Sequence, residues 1–244
     1  MSRGIIFGFI SRFIFILGGY VIHIYAGRTL GASLYGTYGT ILAFITIASI
    51  FLESGIRQFV SKSIAQYPES ASFILQKGLT AQFILAFCIS IILVSMSKWL
   101  SILFNDENLL TPLRVCGLLI IIKSPFYIYM AAVNGMRRFF SENLIVTVYS
   151  VIRPVAAISL IYYGFGVSGA TSGFLIASFC AVLTGFLTIK GLSLKKPIHI
   201  EVRQILMMSV KTIFIFAAIN VLLNVDILFV KLFINNIDAA GYYT

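Results

Sequence analysis

Charged residues are scarce in this chain. Asp, Glu, Lys and Arg make up 11% of its 244 residues, whereas a soluble domain of ordinary composition has about 25%. Apolar residues make up 59% of the chain, and the mean hydropathy is +1.01. This composition excludes a soluble globular domain and predicts a polytopic integral membrane protein.

Cysteine and histidine are also rare. The three cysteines each lie inside an apolar run, and no C-x-x-C pair occurs. His23 and His199 stand alone and far apart in the sequence. These residues therefore predict neither a disulfide framework nor a metal site.

The sequence lacks the motifs on which common classes of enzyme depend. It has no Ser-His-Asp set, no paired carboxylates in a loop and no glycine-rich loop that could cradle a phosphate. No link between the apolar segments is long enough to house a soluble catalytic domain. We therefore expect that the protein is not an enzyme and has no resident cofactor.

Long apolar runs, by contrast, are abundant. A span of the bilayer takes about 20 predominantly apolar residues, and seven segments meet this requirement. We predict an all-α protein with about seven transmembrane helices and a polar, glycine-rich connection at 27–35. The predicted segments are 5–26, 36–60, 79–100, 109–133, 143–165, 168–189 and 206–234.

The net charge of +10 comes mostly from basic residues in the links between segments, as is typical of topology determinants rather than of a nucleic-acid site. With the N-terminus in the cytoplasm, three cations fall outside: Arg28, Lys98 and Arg114. Eleven fall inside: Arg3, Arg12, Arg57, Lys62, Lys77, Arg137, Arg138, Lys190, Lys195, Lys196 and Arg203. This asymmetry predicts a multi-pass protein of the bacterial cytoplasmic (inner) membrane with a cytoplasmic N-terminus and no nucleic-acid partner.

The last apolar segment repeats the order of features of the first. In each, a cation is followed by an apolar stretch, a second cation and a short segment with one glycine and two tyrosines: 11–13, 27–28 and 35–38 in the first, 210–212, 230–231 and 240–243 in the last. Internal repeats of this kind are common in transporters. We therefore expect a six-helix lobe at 1–204 and the first helix of a truncated second lobe at 205–244.

Two cations lie near the middle of predicted spans, each close to a proline. Lys123 precedes Ser124-Pro125, and Arg153 directly precedes Pro154. Proline removes a backbone hydrogen bond and bends the helix, and the freed carbonyl must then be satisfied by protein or water. A bent helix with a cation at mid-depth predicts a hydrated cavity that receives an anion.

Other ionisable residues within the spans have two interpretations each. Arg12 and Arg57 either assist at the cytoplasmic mouth of the cavity or extend to the lipid headgroups. Glu53 and Asp226 either hold the cavity cations in place, as ion-pair partners, or bind a coupling proton or sodium ion. The sequence leaves both interpretations open.

The chain resembles the bacterial polysaccharide flippases that export O-antigen and capsule repeat units. The resemblance to this oligosaccharide flippase family, within the multidrug/oligosaccharidyl-lipid/polysaccharide exporter superfamily, depends on particular motifs. They are Gly27-Arg28-x-Leu30-Gly31, Tyr35-Gly36, the run from Gly55 to Lys62, Asn224-Val225-Asp226 through Lys231, and Ala240-Gly241-Tyr242-Tyr243. Because family members have two lobes, the resemblance implies that the chain corresponds to the N-terminal part of one.

The resemblance implies a function. A flippase of this family moves undecaprenyl-pyrophosphate-linked oligosaccharide from the cytoplasmic to the outer leaflet, driven in some cases by a H⁺ or Na⁺ gradient. Lys123 and Arg153 would then attract the pyrophosphate or acidic sugars. The expected partners are the lipid-linked oligosaccharide, the lipid bilayer, and either a second half of the transporter or the polysaccharide polymerase machinery.

Three alternatives stay open. A multidrug or organic-cation antiporter of the same fold would favour a cavity dominated by acids and aromatic rings. A membrane polymerase or ligase would need a large outer loop with catalytic residues. A half-transporter could also be a scaffold that does not transport.

Overall fold

The computed structural model describes residues 2–189 and 201–210, together with 212, 214, 218 and 229. Within these residues every regular element is helical, which confirms the all-α prediction. Residues 202–210 are helical, and seven α-helices precede them. They are α1 (Ser2–Thr29), α2 (Gly31–Glu53), α3 (Ile56–Gln66), α4 (Ala71–Leu103), α5 (Leu110–Gly135), α6 (Phe139–Leu160) and α7 (Gly166–Thr188).

Five segments of the described chain are long and apolar enough to cross a membrane. They are Ile6–Thr29, Gly31–Gln66, Pro68–Leu103, Glu107–Gly135 and Phe139–Thr188, the last of which contains both α6 and α7. The protein is therefore a multi-pass membrane protein, as predicted. The segment predicted at 206–234 lies largely outside the described residues, so the count of seven stays a prediction.

Large apolar side chains on the outer surface of the bundle fit this conclusion. Phe9 on α1 and Ile102 on α4 are 72% and 70% exposed. In water such a surface would be unstable, whereas lipid tails solvate it. The exposed surfaces of α1 and α4 are therefore suited to an apolar environment rather than to water.

The connection predicted at 27–35 is present but shorter than expected. The first helix continues to Thr29 and the second begins at Gly31, so Leu30 alone separates them. The amide of Leu30 still donates to the carbonyl of Ala26 at 2.9 Å. Gly31, with φ of +76°, makes the turn between the two helices, and the other polar and glycine residues of 27–35 are helical.

The predicted span 36–60 is interrupted. Its first part, α2, ends at Glu53, and α3 begins at Ile56. Gly55 between them has φ +71° and ψ −79°, a backbone conformation that disfavours a side chain. We call Ser54 and Gly55 the α2–α3 break.

Glycines shape the connection from α6 to α7. The π-helical turn Ile161–Phe165 follows α6, and Gly164 and Gly166 have φ of +88° and +53°. Gly169 packs in the first turn of α7, where an added Cβ would lie 2.8 Å from Phe165 Cβ. The turn lets α6 and α7 pack antiparallel to each other, and α6 also packs on α1.

Prolines lie inside two of the helices that surround the centre of the bundle. Pro125 is in α5 and Pro154 is in α6. Each is within two residues of a cation, Lys123 or Arg153, which places the two cations at the points where the helical hydrogen bonding is interrupted. Lys123 and Arg153, the residues predicted to receive an anion, therefore lie on neighbouring helices, α5 and α6.

Candidate functional site

A cavity of about 400 Å³ lies between α1, α2, α5 and α6. Four of the six residues predicted as site residues line it: Arg12, Glu53, Lys123 and Arg153. The sequence separates these residues by up to 141 positions, yet the fold brings them to one space. We call this space the central cavity.

Lys123 enters the central cavity from α5. Its Nζ is 3.2 Å from Ser49 Oγ on α2. The same nitrogen lies 5.5 Å from the ring centroids of both Tyr127 and Tyr149, within the range of a cation–π interaction. The ammonium group is therefore held by a hydroxyl and by two aromatic faces.

Arg153 enters the central cavity from α6. Its Nη2 donates to the carbonyl oxygen of Phe15 on α1 at 3.0 Å, and its Cζ lies 4.4 Å above the Phe15 ring. The rings of Tyr149 and Phe174 lie at 5.6 and 5.8 Å. The Nε atom is buried and has no hydrogen-bond partner in the described part of the chain, so this guanidinium keeps an unused donor.

One ring connects the two cations. Lys123 Nζ and Arg153 Cζ each lie within 5.6 Å of the Tyr149 centroid, so their separation is at most twice that distance. Among the described residues, no carboxylate oxygen lies within 4.0 Å of either side chain's charged nitrogens. An aromatic face attracts a cation without cancelling its charge. Both positive charges therefore remain available to an anion in the cavity.

Sequence reasoning did not identify this aromatic support. Phe126 and Tyr127 are buried side chains that line the central cavity. A signal was present, because Tyr127 follows Lys123 by four residues and Tyr149 precedes Arg153 by four. Residues four apart on a helix are neighbours on its surface.

His23 was also missed as a cavity residue. It lines the central cavity from α1, and its Nδ1 lies 2.9 Å from the hydroxyl of Tyr35 on α2. Its ring contacts Tyr38 edge to face, with centroids 5.5 Å apart. The sequence showed a lone histidine, and no spacing rule connected it to residues on another helix.

Arg57 lies apart from the two central cations, at the α3 end of the bundle. Its Nη1 is 2.6 Å from Glu53 Oε1, and its Nη2 is 3.5 Å from Glu142 Oε1 on α6. Asn134 on α5 donates to Glu142 Oε2 at 2.8 Å and accepts from Ser61 at 3.1 Å. This polar network connects α2, α3, α5 and α6, and sequence reasoning identified only its members Glu53 and Arg57.

A second cavity, of about 750 Å³, adjoins the polar network. Arg12 and Glu53 line both this cavity and the central one. Arg12 therefore lies where the two cavities adjoin. We call the second cavity the mouth.

Two predicted features remain outside this geometry. Asp226 lies outside the described residues, so its position relative to the central cavity stays a prediction. No group of three or more His, Cys, Asp or Glu residues that could hold a metal ion occurs in the described part of the chain. A cluster of these four residue types is therefore not available to a coupling ion in the described part of the chain.

Fold and site together define a multi-pass helical membrane protein with a cation-lined internal cavity. The chain belongs to the polysaccharide biosynthesis protein family, whose model matches residues 26–244. No curated protein sequence matches it. The family match agrees with the resemblance found in the sequence, at the level of polysaccharide biosynthesis.

Two solved structures are similar to the chain in fold. One is a transporter of the MOP superfamily from Pyrococcus furiosus, described as having a binding pocket of reverse polarity that suggests a different function. It has a TM-score of 0.73 and 17% identity, over 92% of this chain and 53% of that one. The other is a multidrug resistance transporter of the MATE family of the MOP superfamily, in an outward-facing conformation. It has a TM-score of 0.64 and 18% identity, over 94% of this chain and 53% of that one.

At these identities the likeness shows the fold alone. The chain spans about half the length of the solved structures it matches. The activity, substrate and partners of a complete transporter are therefore proposals for this chain.

Proposed function

We propose that the protein is a flippase for undecaprenyl-pyrophosphate-linked oligosaccharide units, which it moves across the bacterial cytoplasmic membrane for surface polysaccharide synthesis. One observation carries the proposal. Lys123 and Arg153 share the Tyr149 ring in one cavity, and no described carboxylate lies within 4.0 Å of either. Two cations without an ion-pair partner within 4.0 Å are costly to maintain inside a membrane protein, and an anionic substrate accounts for them.

The physical requirement of this substrate matches the cavity. A pyrophosphate diester carries two negative charges, and a low-dielectric medium raises the energy of each. Fixed cations at the middle of the membrane lower this barrier. Because Lys123 and Arg153 are no farther apart than twice 5.6 Å, one pyrophosphate can contact both.

The remaining site residues have proposed roles along the path. Arg12 lines the mouth and the central cavity and would guide the anion between them. Arg57 would help at the mouth by exchanging one of its carboxylate partners for the pyrophosphate. Glu53 would restrain Arg57, and Asp226 or Glu53 would respond to a H⁺ or Na⁺ gradient.

The topology and partners follow from the same proposal. The N-terminus would lie in the cytoplasm, and the mouth, at the α3 end, would open there. The lipid tail would stay in the bilayer beside the lobe. Because the chain spans about half of its structural neighbours, a second half, or the polysaccharide polymerase machinery, would complete the pathway.

One alternative has a specific observation in its favour. A structural neighbour is a multidrug resistance transporter, and aromatic rings such as Tyr38, Phe126 and Tyr127 line the central cavity. Rings of this kind attract organic cations. Lys123 and Arg153 in the same space would repel them, so we favour the anionic substrate over the antiporter and over a scaffold without transport.

Deletion of the gene separates these possibilities. A flippase deletion is expected to leave lipid-linked repeat units in the inner leaflet and none at the cell surface, because no later step can act on them. Loss of a polymerase would instead leave single repeat units at the surface. Increased sensitivity to lipophilic organic cations with normal surface polysaccharide would favour the antiporter and contradict the proposal.

A further inference from the structure

The α2–α3 break exposes backbone oxygens inside the protein. In a continuous helix the amide of Ile56 would donate to the carbonyl of Leu52, but here it donates to the carbonyl of Ser54 at 2.9 Å. The final carbonyls of any helix lack an intrahelical donor. The end of α2 therefore presents acceptor oxygens that need partners from elsewhere in the fold.

Gln82, a fully buried residue of α4, supplies one such partner. Its Nε2 donates to the carbonyl of Leu52 at 2.8 Å. This bond fixes the orientation of the amide, because the nitrogen must face the carbonyl. The other amide atom, Oε1, is buried and forms no hydrogen bond in the described part of the chain. An unsatisfied buried acceptor is costly.

Ser209 reaches the same break from residues 201–210. A Cβ added to Gly55 would lie 2.7 Å from Ser209 Cβ and 2.8 Å from its carbonyl oxygen, so the two backbones are in close contact. Ser209 is 1% exposed, and its Oγ also lacks a hydrogen-bond partner among the described residues. Two buried, unsatisfied oxygens thus belong to side chains that contact one interrupted helix.

The chemistry of these oxygens selects the ligand class. Gln82 Oε1 and the α2 carbonyls can only accept hydrogen bonds, so they fit a cation and not an anion. The nearby carboxylate of Glu53 is already paired with Arg57 at 2.6 Å, whereas sites for Ca²⁺ and Mg²⁺ use carboxylates. Neutral oxygens at an unwound helix end are the ligands by which membrane transporters bind Na⁺.

We propose that the α2–α3 break binds one sodium ion through Gln82 Oε1, Ser209 Oγ and carbonyl oxygens at the end of α2. Neither Gln82 nor Ser209 lines the central cavity, so the site goes beyond the proposed anion site. The ion would join residues 201–210 to α2 and α4, one residue from Glu53. Binding of sodium would therefore stabilise the arrangement of the polar network at the mouth.

Thermal unfolding of the purified protein tests the site. The melting temperature is measured in NaCl, KCl and choline chloride at equal ionic strength, with sodium titrated against choline. We expect a saturable rise of about 5 °C in sodium alone, because a ligand that binds the native state stabilises it by mass action. Gln82→Leu and Ser209→Ala should remove this sodium-dependent rise, whatever their effect on the melting temperature in choline.

A further variant separates ion binding from structure. Ser178→Ala removes a buried hydroxyl that bonds within its own helix, to the carbonyl of Phe174 at 2.8 Å, and should keep the full rise. Equal melting temperatures in all three salts would mean that a buried water fills the site, and would overturn the proposal.

A full sodium-dependent rise in Ser209→Ala would also contradict the site. Lipid diphosphate binding, measured in choline chloride, reports on the central cavity independently. Loss of the sodium effect with intact diphosphate binding would therefore overturn this inference alone, and the reverse result would overturn the proposed function alone.

Discussion

Cells whose sole copy of this protein carries Lys123→Ala or Arg153→Ala are expected to lose surface polysaccharide, while the amount of the protein in the membrane stays unchanged. Each substitution removes one of the two charges that share the Tyr149 ring in the central cavity. A hydrogen bond to a charged group contributes about 1.5–3 kcal/mol, which corresponds to a loss of roughly tenfold to hundredfold in affinity for the pyrophosphate.

Matched variants give this experiment its control. Lys98→Ala and Arg28→Ala remove exposed cations that do not line the central cavity, and both should export normally. Lys123→Arg and Arg153→Lys keep the charge and should retain part of the activity. Normal surface polysaccharide in both alanine variants at Lys123 and Arg153 would contradict the assignment of these residues to the substrate.

Leucine at Gly173 is expected to prevent folding. Gly173 on α7 packs directly against the backbone of α6, and an added Cβ would lie 2.5 Å from Ala157 Cα. The clash is with a main chain that cannot rotate away, so α6 and α7 must separate. We expect a destabilisation of at least about 3 kcal/mol, and because α6 carries Arg153, the central cavity would be lost with it.

Fluorescence-detected size-exclusion chromatography of the detergent-solubilised protein measures this effect. Gly173→Leu should give aggregate or no protein, whereas the wild type gives a single symmetric peak. Gly27→Ala is the matched control, because an added Cβ there would lie 3.8 Å from the nearest atoms of Tyr35, an ordinary contact. A symmetric peak for Gly173→Leu would show that the α6–α7 contact is not as close as described.

The sequence predicts the helices well because apolar length alone decides whether a segment can span a bilayer. It fails at the α2–α3 break, since hydropathy continues through Phe59 and Val60 while the backbone turns at Gly55. One glycine conformation, stabilised by Gln82 from another helix, interrupts the span. Gln82 and Leu52 are 30 residues apart, so no local sequence pattern predicts their contact.

Local sequence signals predict the central cations of the candidate site, but they do not predict the contacts between helices. A cation at mid-depth beside a proline is a strong local signal, and Lys123 and Arg153 do line one cavity. The partners of each residue depend on packing between helices. Glu142 and Tyr149 both lie on α6, and only the fold shows that Glu142 contacts Arg57 on α3 and that Tyr149 contacts Lys123 on α5.

The most direct test of the central claim compares the binding of two lipophilic ions of opposite charge to the purified protein. Farnesyl diphosphate represents the lipid-linked anion, and tetraphenylphosphonium represents an organic cation. We predict saturable binding of farnesyl diphosphate, weakened at least about tenfold in Arg153→Leu, and no saturable binding of tetraphenylphosphonium. Binding of tetraphenylphosphonium that strengthens in Arg153→Leu, without binding of farnesyl diphosphate, would contradict the account.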